Sequence, residues 1–546
     1  MANYQLTVSV AGKVLVEPTQ KASALKGFQL VELTTLNRLN EVSTARLVLQ
    51  GPKPGAVPNP EVEAELASFL PGALATIMVG EIVLFTGLLT RTQLSMDDKS
   101  RTLELHLSHM LQLLKSTYQS QVWPMMTDEA ILRLILTQHG IAAGKVEGMK
   151  ISHPQMIQFN CSDWRYVQTR LNACGLMLAT NGMGVVSAIK PLAAAPAVSF
   201  SPGKEGLRRL TITHSNEQLA QGINVGGWNV PTQKILPGAG LPATLGLMAY
   251  DAKLVKPLNT AMWQQGYNML DAGEAVELAT ARLQMNHLSA VSAELTIHGD
   301  ASVEPGNSVL LAGFGSASDG TALVTGVRHR FSAATQGLED WETLLETGSE
   351  YAPPMTNERV PRAPGLHVGV IGENPTGPLP ADNTLAIDIP ALQLSKPTPI
   401  RARLSSPYAG KGHGFSFYPQ QGDEVVVAFI DEDPCYPVIL GSMHSTLNQT
   451  PFLTPADGVG IVHTNSEKQL KQSLTLSPAT GITLQQELAG VKSSLVLNKG
   501  EATLDVDTNA TIMAKVNIKL DATAKTEVAG KAGVDVKGAL VSLKQG

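Results

Sequence analysis

EATLDVDTNATIMAKVNIKLDATAKTEVAGKAGVDVKGAL, residues 501–540, decides the reading of this chain. Its charged residues are Glu501, Asp505, Asp507, Lys515, Lys519, Asp521, Lys525, Glu527, Lys531, Asp535 and Lys537. All eleven sit at odd positions. The even positions carry only Ala, Leu, Val, Ile, Thr and Gly. Side chains of an extended strand alternate between two faces, and random placement would put all the charges on one parity about once in a thousand. The pattern is lost at Lys544. An ordinary strand runs about five or six residues, and this segment mostly lacks the turn residues that hairpins require. A lone ribbon can neither satisfy its backbone nor bury its apolar side. The segment therefore predicts a triple-stranded intertwined β-helix made from three copies of the chain. Ile512, Ala514, Val516, Ile518, Leu520, Val528, Val534 and Val536 would form its trimer core. Short hairpins or a single-chain solenoid are the alternatives.

Upstream of the ribbon, a compact β module is expected from about Gly365 to Ser445, centred on Gly422-Asp423-Glu424-Val425-Val426-Val427-Ala428-Phe429-Ile430. Its length suits a five-stranded barrel of the OB type. Residues 352–364 are proline-rich and read as a linker. Before the linker the chain is mainly β with some α. Leu6–Val10 and Thr102–Leu107 alternate as strands. A helix is expected over Asp128–His139, capped by Thr127, with Ile131, Leu134 and Ile135 as its stripe. A second is expected over Trp164–Cys174, capped by Ser162 or Asp163 and stopped by Gly175, and a third near Ala272–Gln284. Val303–Asn307 reads as a tight turn before a strand Ser308–Leu311, and Thr321–Phe331 with Asp340–Thr347 as a closing pair. The domains are thus a base of two β-barrel-like subdomains with α/β insertions over 1–355, an OB-fold over 356–450 and a trimeric needle over 451–546.

Composition narrows the function. Charged residues make up 16% of the chain, below a globular average of about 25%, as expected where surface is buried between subunits. The net charge is −6 with no basic block, so nucleic acid is not an expected partner. Cys161, Cys174 and Cys435 are widely spaced and fit neither a disulfide framework nor a zinc pattern. No secretory leader or bilayer-length apolar run stands out, so folding in the cytoplasm is expected.

Two segments resemble the VgrG-type spikes of type VI secretion, contractile phage tails and extracellular contractile injection systems. The first is Tyr418–Ser442, with Gly422, Asp423, Glu424, Val425 and Phe429 in a strand, Asp433-Pro434 in a turn, and Pro437 to Gly441 in the return strand. The family often has Gly-Asp-Pro where this chain has Glu432-Asp433-Pro434. The second, Gly320–Phe331, is similar to the closing strand of the family's hub. Asn160-Cys161-Ser162-Asp163-Trp164 looks closest to the extracellular particles. The resemblance implies a structural, non-enzymatic homotrimer that docks on the tail tube and baseplate proteins. It implies a PAAR-type tip protein at the C-terminal end, room for effector cargo, transient contact with a target membrane, and no cofactor. It also implies assembly in the bacterial cytoplasm, followed by an extracellular life in a phage tail-like particle.

The remaining candidates have plainer readings. Asp431, Glu432 and Asp433 could hold a metal or act as acid and base, but a solvated turn before Pro434 suffices, because adjacent carboxylates need not converge. His413 reads as a loop histidine. Arg328 and Arg330 share a strand face across His329, at a subunit contact or in solvent. His214 has no inferable triad. Cys161 and Cys174 read as inert buried thiols, and Val225-Gly226-Gly227-Trp228 as a turn. Two rivals stand beside the spike: a trimeric polysaccharide-degrading tailspike and a trimeric adhesin. An aromatic content of 5% argues against sugar platforms, and the first rival would also need clustered carboxylates.

Overall fold

Alternation builds the first half of the molecule. Leu6, Val8 and Val10 are buried on one side of their strand, and Leu103, Leu105 and Leu107 on one side of theirs. The computed structural model describes residues 5–16, 25–55, 59–192, 194–203, 206–241, 256–258, 260–270, 273–333, 338–349, 356–373, 383–392, 398–452, 454 and 458–544. Two units divide at Met443/His444.

The first unit carries a thirteen-stranded sheet. From one edge it runs Leu207–His214, Val291–His298, Leu338–Thr347, Gly320–Ala333, Gln29–Arg38, Thr44–Gly51, Arg101–Ser108, Ile82–Met96, Leu74–Val79, Leu6–Val10 and Lys13–Val16. Ser308–Leu311 pairs beside Gly320–Ala333, and Pro196–Phe200 beside Ser308–Leu311. The strands expected to form two barrel-like subdomains join in this one continuous sheet, which carries two cores. One is built from the N-terminal strands around Leu33, Leu47 and Leu105, the other around Leu295, Val309, Val327 and Leu345. They meet where Gly320–Ala333 pairs antiparallel with Gln29–Arg38. There Trp341, Phe331, Leu33, Leu47 and Leu105 stand opposite one another across five strands. Phe331 stacks on Trp341 at 5.2 Å. A fully buried residue of this size contributes about 1.5–3 kcal/mol, so the shared row binds the two halves together.

Five α-helices occur among the described residues: α1 (Pro60–Leu66), α2 (Gln112–Ser116), α3 (Asp128–Gln138), α4 (Asp163–Cys174) and α5 (Glu274–Leu288). Thr127 caps α3 by accepting from Ala130 N at 3.2 Å, and Ser162 caps α4 by accepting from Arg165 N at 3.2 Å, each satisfying an otherwise orphaned donor. Gly175 ends α4 at φ 67°, and a Cβ there would lie 2.7 Å from Ala281 Cα, so this glycine sets how closely α4 meets α5. Leu134 is exposed, and Leu132 and Leu136 join Ile131 and Ile135 in the buried stripe. The third expected helix begins at Glu274 and runs on to Leu288. Helices α1 and α2 were not expected.

The OB-type barrel closes in the order Leu366–Ile371, Thr384–Asp388, Ile400–Leu404, Pro437–Ser442, Glu424–Phe429. Val425, Val427, Ile387, Ala402 and Ile439 fill it. Its core is continuous with that of α3, α4 and the Tyr118–Thr127/Ser152–Ser162 ribbon. Residues 350–355 lie outside the described residues, but the rest of the expected linker is not a spacer: Arg359, Val360 and Ala363 are buried. Val360 and Ala363 join the barrel's core, and Ala363 N donates to the Glu432 carbonyl at 2.8 Å.

The second unit is an antiparallel meander of Val459–Asn465, Leu470–Ser477, Gly481–Leu488, Val491–Asn498 and Glu501–Val506. Ala489-Gly490 and Lys499-Gly500 all have positive φ, the form two-residue hairpin turns require. Residues 501–506 therefore pair within the chain with Val491–Asn498, which corrects the expected start of the ribbon. From 507 to 544 the described chain carries no strand and every residue is exposed. No helix among the described residues is long and apolar enough to cross a membrane.

Candidate functional site

Directly opposed residues of an antiparallel sheet share a face, so the register of the second unit maps its two sides. Val459, Leu476, Ile482, Leu497 and Ala502 form one row across all five strands. Ile461, Leu474, Leu484, Leu495 and Leu504 form the next. His463, Gln472, Gln486, Ser493 and Val506 make a third, and Asn465, Leu470, Leu488 and Val491 a fourth. No Asp, Glu, Lys or Arg stands on this face. Lys471, Glu487, Lys492, Glu501 and Asp505 all take the other. The leucines are the uncovered side chains: Leu474, Leu476, Ile482 and Leu484 are exposed, while Ser473, Thr475, Thr483 and Gln485 between them are half-buried. That is the reverse of a sheet folded over its own core.

The sequence-predicted core positions continue this parity from Leu504. Ile512, Ala514, Val516, Ile518, Leu520, Val528, Val534 and Val536 are all exposed, and none is covered by another part of the described chain.

A second constellation fixes the barrel to the sheet and helices of the first unit. Asp128, at the start of α3, accepts from Arg170 Nε at 2.7 Å and Nη2 at 2.8 Å, with both residues buried. Burial alone would raise the Asp128 carboxyl, but the Arg170 guanidinium and His153 hold it well below the usual range. His153 Nε2 lies 3.0 Å from Asp128 Oδ2, and its Nδ1 3.7 Å from Glu274 Oε1. Arg170 Nη1 donates to the Arg359 carbonyl at 2.7 Å. Arg359 reaches Glu274 of α5 through Nη1, Asp433 of the barrel through Nε at 3.2 Å, and the Tyr436 hydroxyl at 2.8 Å. Three helices, the preceding segment and the barrel thus share one buried alternating set of charges. Removing one member of such a set costs about 3–5 kcal/mol, because its partner stays buried and unpaired.

The barrel motif residues lie along one turn, strand, turn and return strand. Gly422 holds φ 87° in the turn before the strand, and Asp423 closes that turn by accepting from Gln420 N at 2.7 Å. Glu424 opens the strand, Val425 and Phe429 point inward, Pro434 follows Asp433 in the turn, Pro437 pairs with Phe429, and Gly441 with Val426. The acidic triplet is corrected in part. Asp433 is not solvated: it is buried, held by Arg359, and also accepts from Cys435 N. Asp431 accepts from Asn268 N at 2.8 Å, and Glu432 pairs with Arg362 at 3.4 Å, so the three carboxylates diverge. Among the described residues no cluster of His, Cys, Asp and Glu could hold a metal.

Arg328 and Arg330 do share an exposed face, Arg330 beside Glu32 at 3.5 Å, while His329 is buried against Thr343 Oγ1 at 2.9 Å. His214 Nε2 lies 3.0 Å from the Ala317 carbonyl, and His413 lies in an exposed hairpin beside Tyr408. Cys161 and Cys435 are buried and Cys174 is half-buried; all three are free. Burial pushes the Cys161 thiol up to about 11. Gly226-Gly227 is mid-strand rather than a turn: a Cβ on Gly227 would meet Leu270 at 2.5 Å. Arg170, Arg359 and Glu274 had no sequence signal, since each meets its partner only through the tertiary fold. The leucine rows of 459–498 did have one, the same two-residue alternation that marks 501–540.

A family model described as the Alg8 N-terminal domain matches residues 7–333, well over half the chain. The chain belongs to that family. Its matched span takes in every strand of the thirteen-stranded sheet except Leu338–Thr347, apart from the first residue of Leu6–Val10. Residues 388–444 match a second model, the type VI secretion system/phage-baseplate injector OB domain, which coincides with the last three strands of the barrel. Among solved structures, a lidless PdpA–VgrG complex aligns at 12% identity with TM-score 0.57, covering 92% of this chain and 99% of that one. The half-lidded Francisella PdpA–VgrG complex aligns at 10% identity and TM-score 0.57, covering 92% and 88%. The E. coli c3393 protein, described as a type VI secretion component similar to the T4 tail proteins gp27 and gp5, aligns at 12% identity and TM-score 0.50, covering 77% and 98%. This member of the Alg8 family therefore has the VgrG-like spike fold. A comparison with curated proteins finds no match.

Proposed function

We propose that the chain is the central spike of a contractile injection particle and works as a homotrimer. The observation that carries this reading is the uncharged, uncovered leucine face of the Val459–Val506 sheet, with its parity continued to Val536, on a chain with the VgrG-like fold. Contiguous apolar patches much beyond a few hundred Å² are rare on monomers. Identical copies meeting face to face cover the patch and form a closed assembly. In this reading residues 507–544 wind with their copies into the needle, and the small even-numbered side chains fit a narrow threefold interior.

The remaining roles follow from the same reading. The two-core sheet docks on the tail tube and baseplate. The C-terminal end carries a PAAR-type tip, and effector cargo travels with it. Sheath contraction drives the spike through a target membrane. The role is mechanical rather than catalytic, a reading supported by the commitment of each buried carboxylate at the joint to an arginine. The Asn160–Trp164 segment favours an extracellular particle assembled in the bacterial cytoplasm over type VI secretion.

Sedimentation of the full chain tests the assembly: a three-chain mass is expected, and a folded single chain at high concentration would refute it. Labelling the protein in intact particles tests its place at the pointed end.

A further inference from the structure

One row of the leucine face is polar. His463, Gln472, Gln486 and Ser493 stand directly opposite one another across four strands, between the row of Leu474 and Leu484 and the row of Leu470 and Leu488. They border a concavity of about 530 Å³ whose other walls include Ile461, Leu474, Leu484 and Leu495. Gln472 Nε2 donates to Gln486 Oε1 at 3.1 Å. That bond uses neither Gln486 Nε2, a donor, nor Gln472 Oε1, an acceptor, and both residues are exposed.

We infer that this row is a hydrogen-bonded seam that selects the register in which copies of this chain meet. The inference rests on the homotrimer proposed above and commits to a second copy as the occupant. The row suits a copy of itself, because each amide supplies both a donor and an acceptor. A charged partner would find no counter-charge on this face, since every Lys, Glu and Asp of the sheet is on the other side. An all-leucine face could slide by two residues along a strand and bury the same apolar area. A polar row cannot, because a slip puts its amides against leucine, where they lose their partners. A single buried polar position fixes register and copy number in coiled coils by the same logic.

The test uses the full chain and two kinds of variant. Gln472→Leu/Gln486→Leu removes the seam and leaves the leucine rows. Native mass spectrometry should show the wild type as one three-chain species, and the double variant as a spread of oligomers with at least a tenfold smaller share of the trimer. Ser493→Cys places a thiol in the row and should cross-link copies under mild oxidation, whereas Thr483→Cys, on the other face, should not. A double variant that still forms a single trimer overturns the seam alone, as does a thiol at 493 that stays reduced in intact trimers. A wild type that sediments as one chain overturns the homotrimer reading, and the seam with it.

Discussion

Leu484→Asp gives the most direct quantitative handle on assembly. Leu484 stands in the middle of the second row, flanked by Leu474 and Leu495, and is 57% exposed in the single chain. The substitution should therefore leave the folded chain nearly undisturbed. In the proposed trimer that exposed fraction becomes buried. Full burial of a leucine is worth about 1.5–3 kcal/mol, so the fraction still to be buried is worth about 1–1.5 kcal/mol per chain. Placing a carboxylate in the same interior adds about 3 kcal/mol per chain after relaxation. Three chains together lose about 12 kcal/mol. At about 1.4 kcal/mol per decade that is between eight and nine decades in the trimer association constant. The half-assembly concentration varies as the square root of that constant and should rise by about four decades. Sedimentation velocity over a dilution series reads this directly, with Thr483→Asp on the opposite face as the control. A Leu484→Asp chain that assembles at the wild-type concentration would refute the reasoning, because the leucine face would then not be the interface.

Arg359→Met should destabilise the first unit by about 3–5 kcal/mol, since Glu274 and Asp433 would keep their burial and lose their shared guanidinium. Guanidinium unfolding checks this, and a loss under about 1 kcal/mol would show that the joint is not a buried charge network. Burial lowers the His329 imidazole to about 4, so the unfolded chain, with an ordinary value near 6.5, takes up its proton first as the pH falls. Stability should drop by up to about 3 kcal/mol between pH 6.5 and 4. Histidines His109 and His287, also lowered by burial, act in the same direction, and His329→Gln should remove its own share of the slope. Glu432→Gly should raise stability by up to about 1 kcal/mol, because Glu432 holds φ 60°, a conformation that costs a non-glycine residue about 1–2 kcal/mol. Thermal unfolding measures this, and a fall in midpoint would mean that the exposed Arg362 pair outweighs the strain.

The same position shows how resemblance and geometry connect. The family pattern often has glycine where Glu432 stands, and the backbone there is left-handed, which glycine adopts without steric cost. Motif residues were legible because each answers to a local constraint: Gly422 to a positive φ, Asp423 to a turn cap, Val425 and Phe429 to strand alternation. The helices α3 and α4 were legible for the same reason, through Thr127, Ser162 and Gly175. Helix α1 had an equally local signal in Asn59-Pro60, a cap followed by a first-turn proline. Asp433 was misread because its solvation depends on Arg359, which reaches it from 74 residues away in sequence.

The sequence by itself determined what repeats or closes locally: the period-two parity of the tail, the strand and cap signals, and the barrel motif. These depend on backbone geometry and on neighbours within a few residues, so the order of residue types is enough. Only the tertiary structure decided that the two cores share one sheet, that the expected linker is buried against the barrel, and which residues of the 459–506 strands stand opposite one another in rows. Those features depend on which distant segments become neighbours, and register and burial are properties of pairs that no single segment contains.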